Sequence, residues 1–290
     1  MFLNLSSGVK LGPEVRQALR DAALAAGVEV IDLAKEVDVA SVVRQRLRED
    51  RRLFIAAGGD GTVNSVVQPL VNTDATLAVI PAGTYNHFAR DLGIPLDWKE
   101  ALDVALKGES RQIDVARVND RFFVNNVSMG LYPELVARRE ERGRDYPRWK
   151  ARLYAAYITL RTYPHVTFTV ETEHHQEVIR THVFMVSNNS YDLSRMGIEA
   201  PRSRMTDGRL SVYWLPHLPR IALMKFAAHY LAGRVTTTPG FRMFRTQRMK
   251  VQSRHRRLHV GIDGEVHLLP TPLTITIVPQ ALLVKVPRAT

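Results

Sequence analysis

The sequence predicts a parallel α/β domain followed by a second domain of mostly antiparallel β-strands. Three observations carry this. Apolar strands alternate with amphipathic helices from Met1 to Gly108, the order that calls for a parallel sheet flanked by helices. Two of those strands run straight into a glycine turn and a helix, at Phe54–Asn64 and at Thr76–Pro95. From Gln112 the texture changes to short strands punctuated by Asn-Asp and Asp-Gly turns, the signature of hairpins.

Taken in order, Met1–Leu5 is the tail of a strand. Gly12-Pro13 opens a helix with proline near its first position; Val15, Ala18, Leu19, Ala22 and Ala26 share one face, and Gly27 stops it. Val28–Leu33 is a short strand. Asp38 caps a second helix with Val42, Val43 and Leu47 inward. Leu53–Ala57 feeds the first glycine turn, and a helix runs from Val63 to about Val71. Thr76–Ile80 feeds the second turn. Asp97 caps a helix that ends at Gly108. Ile113–Val118 and Arg121–Val124 form a hairpin across Asn119-Asp120. A domain boundary near Arg111 divides the chain into residues 1–111 and 112–280. The second part holds a basic, aromatic helical stretch at Tyr132–Arg161, an amphipathic helix at Ile221–Gly233, and strands at Val166–Glu171, Val178–Ser187, Arg209–Leu215, Gln247–Gln252, Leu258–Ile262 and Leu273–Val278.

Composition narrows the classes. The chain has no cysteine, which excludes disulfides and thiolate metal sites and fits a reducing cytosol. No apolar run reaches membrane-spanning length. The formal net charge is +11 and unevenly placed: between Asp207 and Asp263 there is no acid but eleven Lys and Arg. Such a surface seeks phosphate, whether on lipid head groups, nucleotide or nucleic acid.

Gly58-Gly59-Asp60-Gly61-Thr62-Val63-Asn64 is the stretch that points to chemistry. Three glycines in four residues let the backbone approach a ligand closely, and the following helix offers its N-terminus to an anion. A carboxylate inside a phosphate cradle repels phosphate unless a divalent cation lies between them, so Asp60 implies Mg²⁺. The turn is neither a P-loop nor a GxGxxG. In an open α/β sheet both glycine turns lie on the carboxyl edge, where ligands bind. Asp263-Gly264-Glu265 and Asp207-Gly208 read, taken alone, as hairpin turns.

The joint order of these motifs resembles the diacylglycerol kinase catalytic-domain family, which includes bacterial lipid kinases and the sphingosine and ceramide kinases. The resemblance runs from Asn4-Leu5-Ser6-Ser7-Gly8 through Gly58–Asn64 and Pro81-Ala82-Gly83-Thr84-Tyr85-Asn86-His87-Phe88-Ala89 to Asp207-Gly208 and Asp263-Gly264-Glu265. It implies a first domain like that of phosphofructokinases and NAD kinases, joined by a returning final strand in residues 281–290, and a β-sandwich second domain. It implies ATP and Mg²⁺ as cofactors and in-line phosphoryl transfer to a lipid hydroxyl such as that of diacylglycerol. Nucleotide-binding residues would be Asn4, Gly58, Gly59, Asp60, Gly61, Thr62, Asn64, Gly83, Thr84 and Asn86. Asp60 would act through Mg²⁺, and Asp263 or Glu265 would take the hydroxyl proton. A structural Mg²⁺ would sit at that turn, held by the Asp207 carboxylate and nearby backbone carbonyls, with Arg204 and Arg209 the neighbouring positions.

Three departures stand out. His87 takes the place of an aspartate common in bacterial relatives, Thr206 that of a first aspartate before Asp207, and Leu5 that of a proline. The expected partners are a lipid alcohol and an anionic membrane surface, met by a cytoplasmic protein at the inner face of the membrane. Nucleic acid is not expected, and a homodimer is an assembly the resemblance leaves open. NAD kinase shares GGDGT and is the second enzyme reading. A basic nucleic-acid module using Arg242, Arg245, Arg248, Arg254, Arg256 and Arg257 is a reading of another class.

Overall fold

The computed structural model describes residues 1–4, 12–33, 37–130, 165–189, 205–216, 219, 222 and 242–288. The basic stretch Tyr132–Arg161, nearly all of the helix expected at Ile221–Gly233, the Ser6-Ser7-Gly8 turn and Arg204 lie outside the described residues. The chain forms two compact units, Met1–Val115 with Val278–Thr290, and Ala116–Ile277.

The first unit is a parallel sheet with helices. Its strands are β1 (Phe2–Asn4), β2 (Ile31–Leu33), β3 (Leu53–Gly58), β4 (Thr76–Pro81) and the last part of β15 (Leu273–Val286), in the order β2-β1-β3-β4-β15. β1 has three residues yet lies inside the sheet, pairing in parallel with β2 on one side and β3 on the other. Phe2 and Leu3 are almost fully buried, so two apolar side chains and two ladders hold a strand too short to persist alone. Gly58 pairs with Pro81, and the carboxyl ends of the parallel strands β1, β3 and β4 lie on one edge.

Local chemistry sets the helices. α1 (Pro13–Ala25) starts with proline at its first position and ends before Gly27, whose φ is +75°. Asp38 caps α2 (Val39–Arg48) by accepting from Ala40 N and Ser41 N. α3 (Asp60–Leu70) starts three residues earlier than the apolar periodicity alone suggests, because Gly59 serves as its N-cap residue and Asp60 opens its first turn. A five-residue helix, α4 (His87–Asp91), follows the second glycine turn. Asp97 caps α5 (Trp98–Lys107) through Lys99 N and Glu100 N.

In the second unit the ladders among the described strands between Asn126 and Pro270 are antiparallel. β5 (Glu109–Val118) and β6 (Arg121–Phe123) make the expected hairpin, with Asn119 at φ +53°. β7 (Asn126–Gly130), β8 (Val166–Thr172), β9 (Gln176–Ser187), β10 (Leu210–Pro216), β11 (Arg242–Thr246), β12 (Arg248–Ser253), β13 (Arg257–Ile262) and β14 (Glu265–Pro270) follow. β9 organises them. Its residues 183–187 pair with β7 and its residues 176–181 with β8, while β10 pairs with 181–187. Thr181 pairs with both Val166 and Pro216, so β8 and β10 take opposite edges of β9 there. The sheet therefore forks into a β7-β13-β14 branch and a β8-β12-β15 branch. Val127, Val260 and Ile262 from one branch and Phe168, Met249 and Ile275 from the other share one buried core, with Phe168 and Phe184 edge to face at 5.6 Å.

β15 passes from the second unit into the first. It pairs with β12 through Leu273–Thr276 and, further on, in parallel with β4 at Leu283 and Val284. Between these stretches Gln280 has φ +50° and its N–H is held by the buried Asp114 carboxylate at 2.9 Å. That carboxylate replaces the ladder bond the kink forfeits.

Candidate active-site elements

In the first unit the two glycine turns are locked together. A Cβ on Gly83 would lie 2.5 Å from the Cα of Gly59, and one on Gly58 would lie 2.5 Å from Thr62 Oγ1. No larger residue fits either position without moving backbone or the start of α3. Gly58 O accepts from Ala82 N at 2.9 Å. Asn86, buried and at φ +51°, closes the second turn on itself: Gly83 N donates to its Oδ1 at 2.8 Å and its Nδ2 donates to Gly83 O at 3.0 Å. Asparagine suits this place because it tolerates the left-handed region and mimics a backbone turn.

Asp60 stands at the first position of α3. Its Oδ1 accepts from Phe88 N at 3.4 Å, and this is its hydrogen bond among the described residues. The bond ties the first turn to the helix after the second. Thr62 Oγ1 accepts from Asn4 Nδ2 at 2.8 Å, joining the end of β1 to the same turn. Asn64 accepts from Gln68 Nε2, and Gly61 O accepts from Ser65 Oγ at 3.0 Å. Thr84 is exposed. Asn4, Gly58, Gly59, Asp60, Gly61, Thr62, Gly83 and Asn86 are thus brought together on the carboxyl edge of the sheet. His87 and Tyr85 stack at 5.6 Å with planes 10° apart, Tyr85 being 68% exposed. With His87 an imidazole, Asp60 is the one carboxylate in the stretches 58–64 and 81–89.

The first turn suits a magnesium nucleotide. Mg²⁺ is commonly held by one or two carboxylates with phosphate oxygens and waters completing its shell, not by an all-protein cage. No cluster of three acidic, His or Cys side chains exists among the described residues, so Asp60 is the protein ligand that such an ion would have here. The amides of the first turn of α3, an eleven-residue helix, face the same edge.

In the second unit Asp263 and Glu265 differ sharply. Asp263 is 8% exposed, at φ +45°, and its carboxylate accepts from three backbone amides. Oδ2 accepts from Val124 N at 2.9 Å, and Oδ1 accepts from Asn125 N at 2.9 Å and Asn126 N at 3.0 Å. Asp263 N donates to Asn126 O in return. The side chain therefore nails the bend between β6 and β7 to the end of β13. Glu265, two residues on, opens β14 with its side chain 65% exposed and its Oε2 3.8 Å from His267 Nε2. Burial, then Arg121, push the His267 pKa below the usual histidine value, with Glu265 opposing them.

A group that sequence reasoning missed surrounds Asp263. Ser187 Oγ lies 3.0 Å from both Asn125 O and Asn189 Oδ1. Asn188 Nδ2 donates to Val124 O and its N to Asn125 O. All are buried. The signal was the pair of Asn-Asn dipeptides at strand ends, too polar for buried positions unless a network satisfies them.

The turn assigned by resemblance to a structural Mg²⁺ is differently filled. Asp207 Oδ2 lies 2.9 Å from Arg245 Nη2, and Arg209 is exposed. Asp207 supplies the one carboxylate of this turn, Arg245 already faces it, and Arg204 lies outside the described residues.

Comparison with known proteins agrees with this architecture. Residues 1–118 match the family model described as the diacylglycerol kinase catalytic domain, and residues 126–286 match the YegS C-terminal NAD kinase beta sandwich-like domain. A protein named diacylglycerol kinase from Bacillus subtilis (strain 168) is 43% identical over 102 residues, covering 34% of this chain and 34% of its own. One so named from Staphylococcus carnosus (strain TM300) is 34% identical over 125 residues, 42% of this chain and 40% of its own. The chain thus matches well under half the length of these relatives. A crystal structure of a diacylglycerol kinase from Bacillus anthracis str. Sterne superposes with a TM-score of 0.69 over 98% of this chain and 95% of that one at 20% identity, a likeness of fold. Two family models that together take in almost the whole sequence, one of them more than half of it, agree with the locked glycine turns and the forked β unit: the chain belongs to the diacylglycerol kinase catalytic-domain family.

Proposed function

We propose that this protein is a lipid kinase that moves the γ-phosphoryl group of ATP to the hydroxyl of diacylglycerol or a similar lipid alcohol. The observation that carries the reading is Asp60 at the head of α3, set in a glycine turn that a second glycine turn braces. Membership of the family and the printed names of the relatives support the lipid as acceptor.

The first unit takes the nucleotide. Backbone N–H groups at Gly58–Thr62 bind phosphate oxygens, Asn4 orients Thr62, and Asn86 holds Gly83 against Gly59. Asp60 would hold Mg²⁺ together with phosphate oxygens and water. Bound there, the ion supplies charge neutralisation on the phosphates.

The second unit serves the alcohol. Glu265 is the base: its carboxylate is exposed, whereas that of Asp263 is engaged by three backbone amides. As the phosphorus–oxygen bond to the lipid forms and the one to ADP breaks, Glu265 takes the hydroxyl proton. The low basicity of a carboxylate suffices because the proton leaves late. Asp263 positions the strand end that presents Glu265. No helix among the described residues is long and apolar enough to cross a membrane, and the reading places the protein at an anionic membrane surface from the cytoplasmic side.

The test is transfer of radiolabel from γ-labelled ATP to a panel of lipids in mixed micelles, with Mg²⁺ or a chelator and with NAD as a competing acceptor. Label in a lipid alcohol, lost on chelation and in Asp60→Asn, supports the reading. Label in NAD, or in no acceptor, sinks it.

A further inference from the structure

The Asp207–Gly208 turn leads into β10, and the strand paired with β10 supplies a cation to it. Arg245 on β11 stands opposite Ser211 and runs back along β10 to place Nη2 2.9 Å from Asp207 Oδ2. Its side chain is 23% exposed, and its Nε is buried without a hydrogen-bond partner. The guanidinium is thus packed into the turn and does not drape over it. We infer that Arg245 is the built-in cation of this turn, in the place where the family resemblance puts a structural divalent metal, so the second unit folds without one.

Charge around the turn favours this assignment. Among the described residues two other carboxylates come near these strands, and each has a partner. Glu177 lies 4.0 Å from Arg242, and Glu173 accepts from the Thr246 hydroxyl. Thr246 follows Arg245 in the strand and so projects to its opposite face. From Gly208 to Ile262 the sequence has no acid. A divalent ion at Asp207 would have to displace Arg245 from the carboxylate it already holds, beside the further charge of Arg209. Mg²⁺ sheds water reluctantly and needs near-octahedral oxygen ligands. A guanidinium needs one acceptor face and stays charged at every working pH.

The consequence is that chelation stops nucleotide chemistry without loosening the fold. Thermal unfolding of the protein, without nucleotide, tests this apart from any activity, so its outcome is distinguishable from failure of the kinase reading. Melting temperature is compared in excess Mg²⁺ and in chelator for the wild type, Asp207→Asn, Arg245→Met and the double variant. The expected result is a wild-type Tm indifferent to Mg²⁺. Arg245→Met should lower Tm by about 1–3 °C, the size of a partly exposed ion pair in a chain of this length. The double variant should lose no more than the larger single loss. Arg245→Lys, should the methionine variant not fold, keeps a cation and the indifference to Mg²⁺. A wild-type Tm that rises with Mg²⁺ and does not rise in Asp207→Asn overturns the inference, as does an Arg245→Met variant as stable as the wild type.

Discussion

Replacing Asp263 by alanine should damage the fold as well as the activity, and the hydrogen bonds say by how much. Val124, Asn125 and Asn126 present three N–H groups to this one carboxylate at 2.9–3.0 Å, in a place 8% exposed. Each buried donor left without an acceptor costs about 1–3 kcal/mol. Water entering the vacated space relieves part of this. Alanine is also unsuited to the φ of +45° that Asp263 adopts. A net loss of about 3–5 kcal/mol is expected, a large share of the roughly 5–15 kcal/mol that holds a protein together. Asp263→Asn is gentler, since asparagine keeps the backbone conformation and one acceptor oxygen. It turns one bond into a facing pair of donors, for about 2 kcal/mol. Glu265→Gln, with an exposed side chain, should change stability by less than about 0.5 kcal/mol yet lower transfer on the order of a hundredfold or more. Urea unfolding followed by tryptophan fluorescence measures the first quantity and radiolabel transfer the second. An Asp263→Ala protein with an unshifted urea midpoint would refute the stapling argument. A fully active Glu265→Gln would refute its assignment as the base.

Three further outcomes follow from the geometry. Asp60→Asn should keep the melting temperature within about 2 °C, since its one bond to Phe88 N is long, and should lose Mg²⁺-dependent nucleotide binding in calorimetry. Gly83→Ala should push the two turns apart and weaken nucleotide binding at least tenfold at a stability cost of about 1–3 kcal/mol, because its Cβ would lie 2.5 Å from Gly59 Cα; unchanged binding in fluorescent-nucleotide titration would count against the locked turns. His267 has its pKa lowered from 6.5 by burial and Arg121, so the unfolded chain binds the proton more readily and stability falls as pH drops below about 6.5. His267→Gln should remove that component, its advantage over the wild type growing from pH 7.5 toward pH 5 in urea unfolding; a constant difference would contradict it.

What the sequence could show depended on how far apart the partners are. Asp38 and Asp97 reach amides two and three residues ahead, and such caps can be read from a short window. The two glycine turns were legible for the same reason. Asp263 could be placed in a motif, but its three amide partners lie 137 to 139 residues earlier, and no local pattern announces them. Arg245 and Asp207 are 38 residues apart and meet only because β10 pairs with β11. β11 escaped notice because Met243 and Phe244 stand side by side between Arg242 and Arg245 and break the alternation that marks a strand, whereas β7 and β14 keep the alternation but are short and begin at or beside the turn-type pairs Asn125-Asn126 and Asp263-Gly264. Pro279 ended the final strand too early; the ladder resumes because Asp114 satisfies the amide of Gln280.

The route of β15 bears on how the chain is made. β4 gains its outer neighbour from Leu283 and Val284, which follow the whole of the second unit in the chain. Until then, the nascent first unit carries an unpaired apolar edge along Leu77, Ala78 and Val79 while the whole of the second unit is being synthesised. An open edge of that kind invites pairing with another chain. A fragment cut at residue 118, the span matched by the catalytic-domain family model, is therefore one strand short of its own sheet.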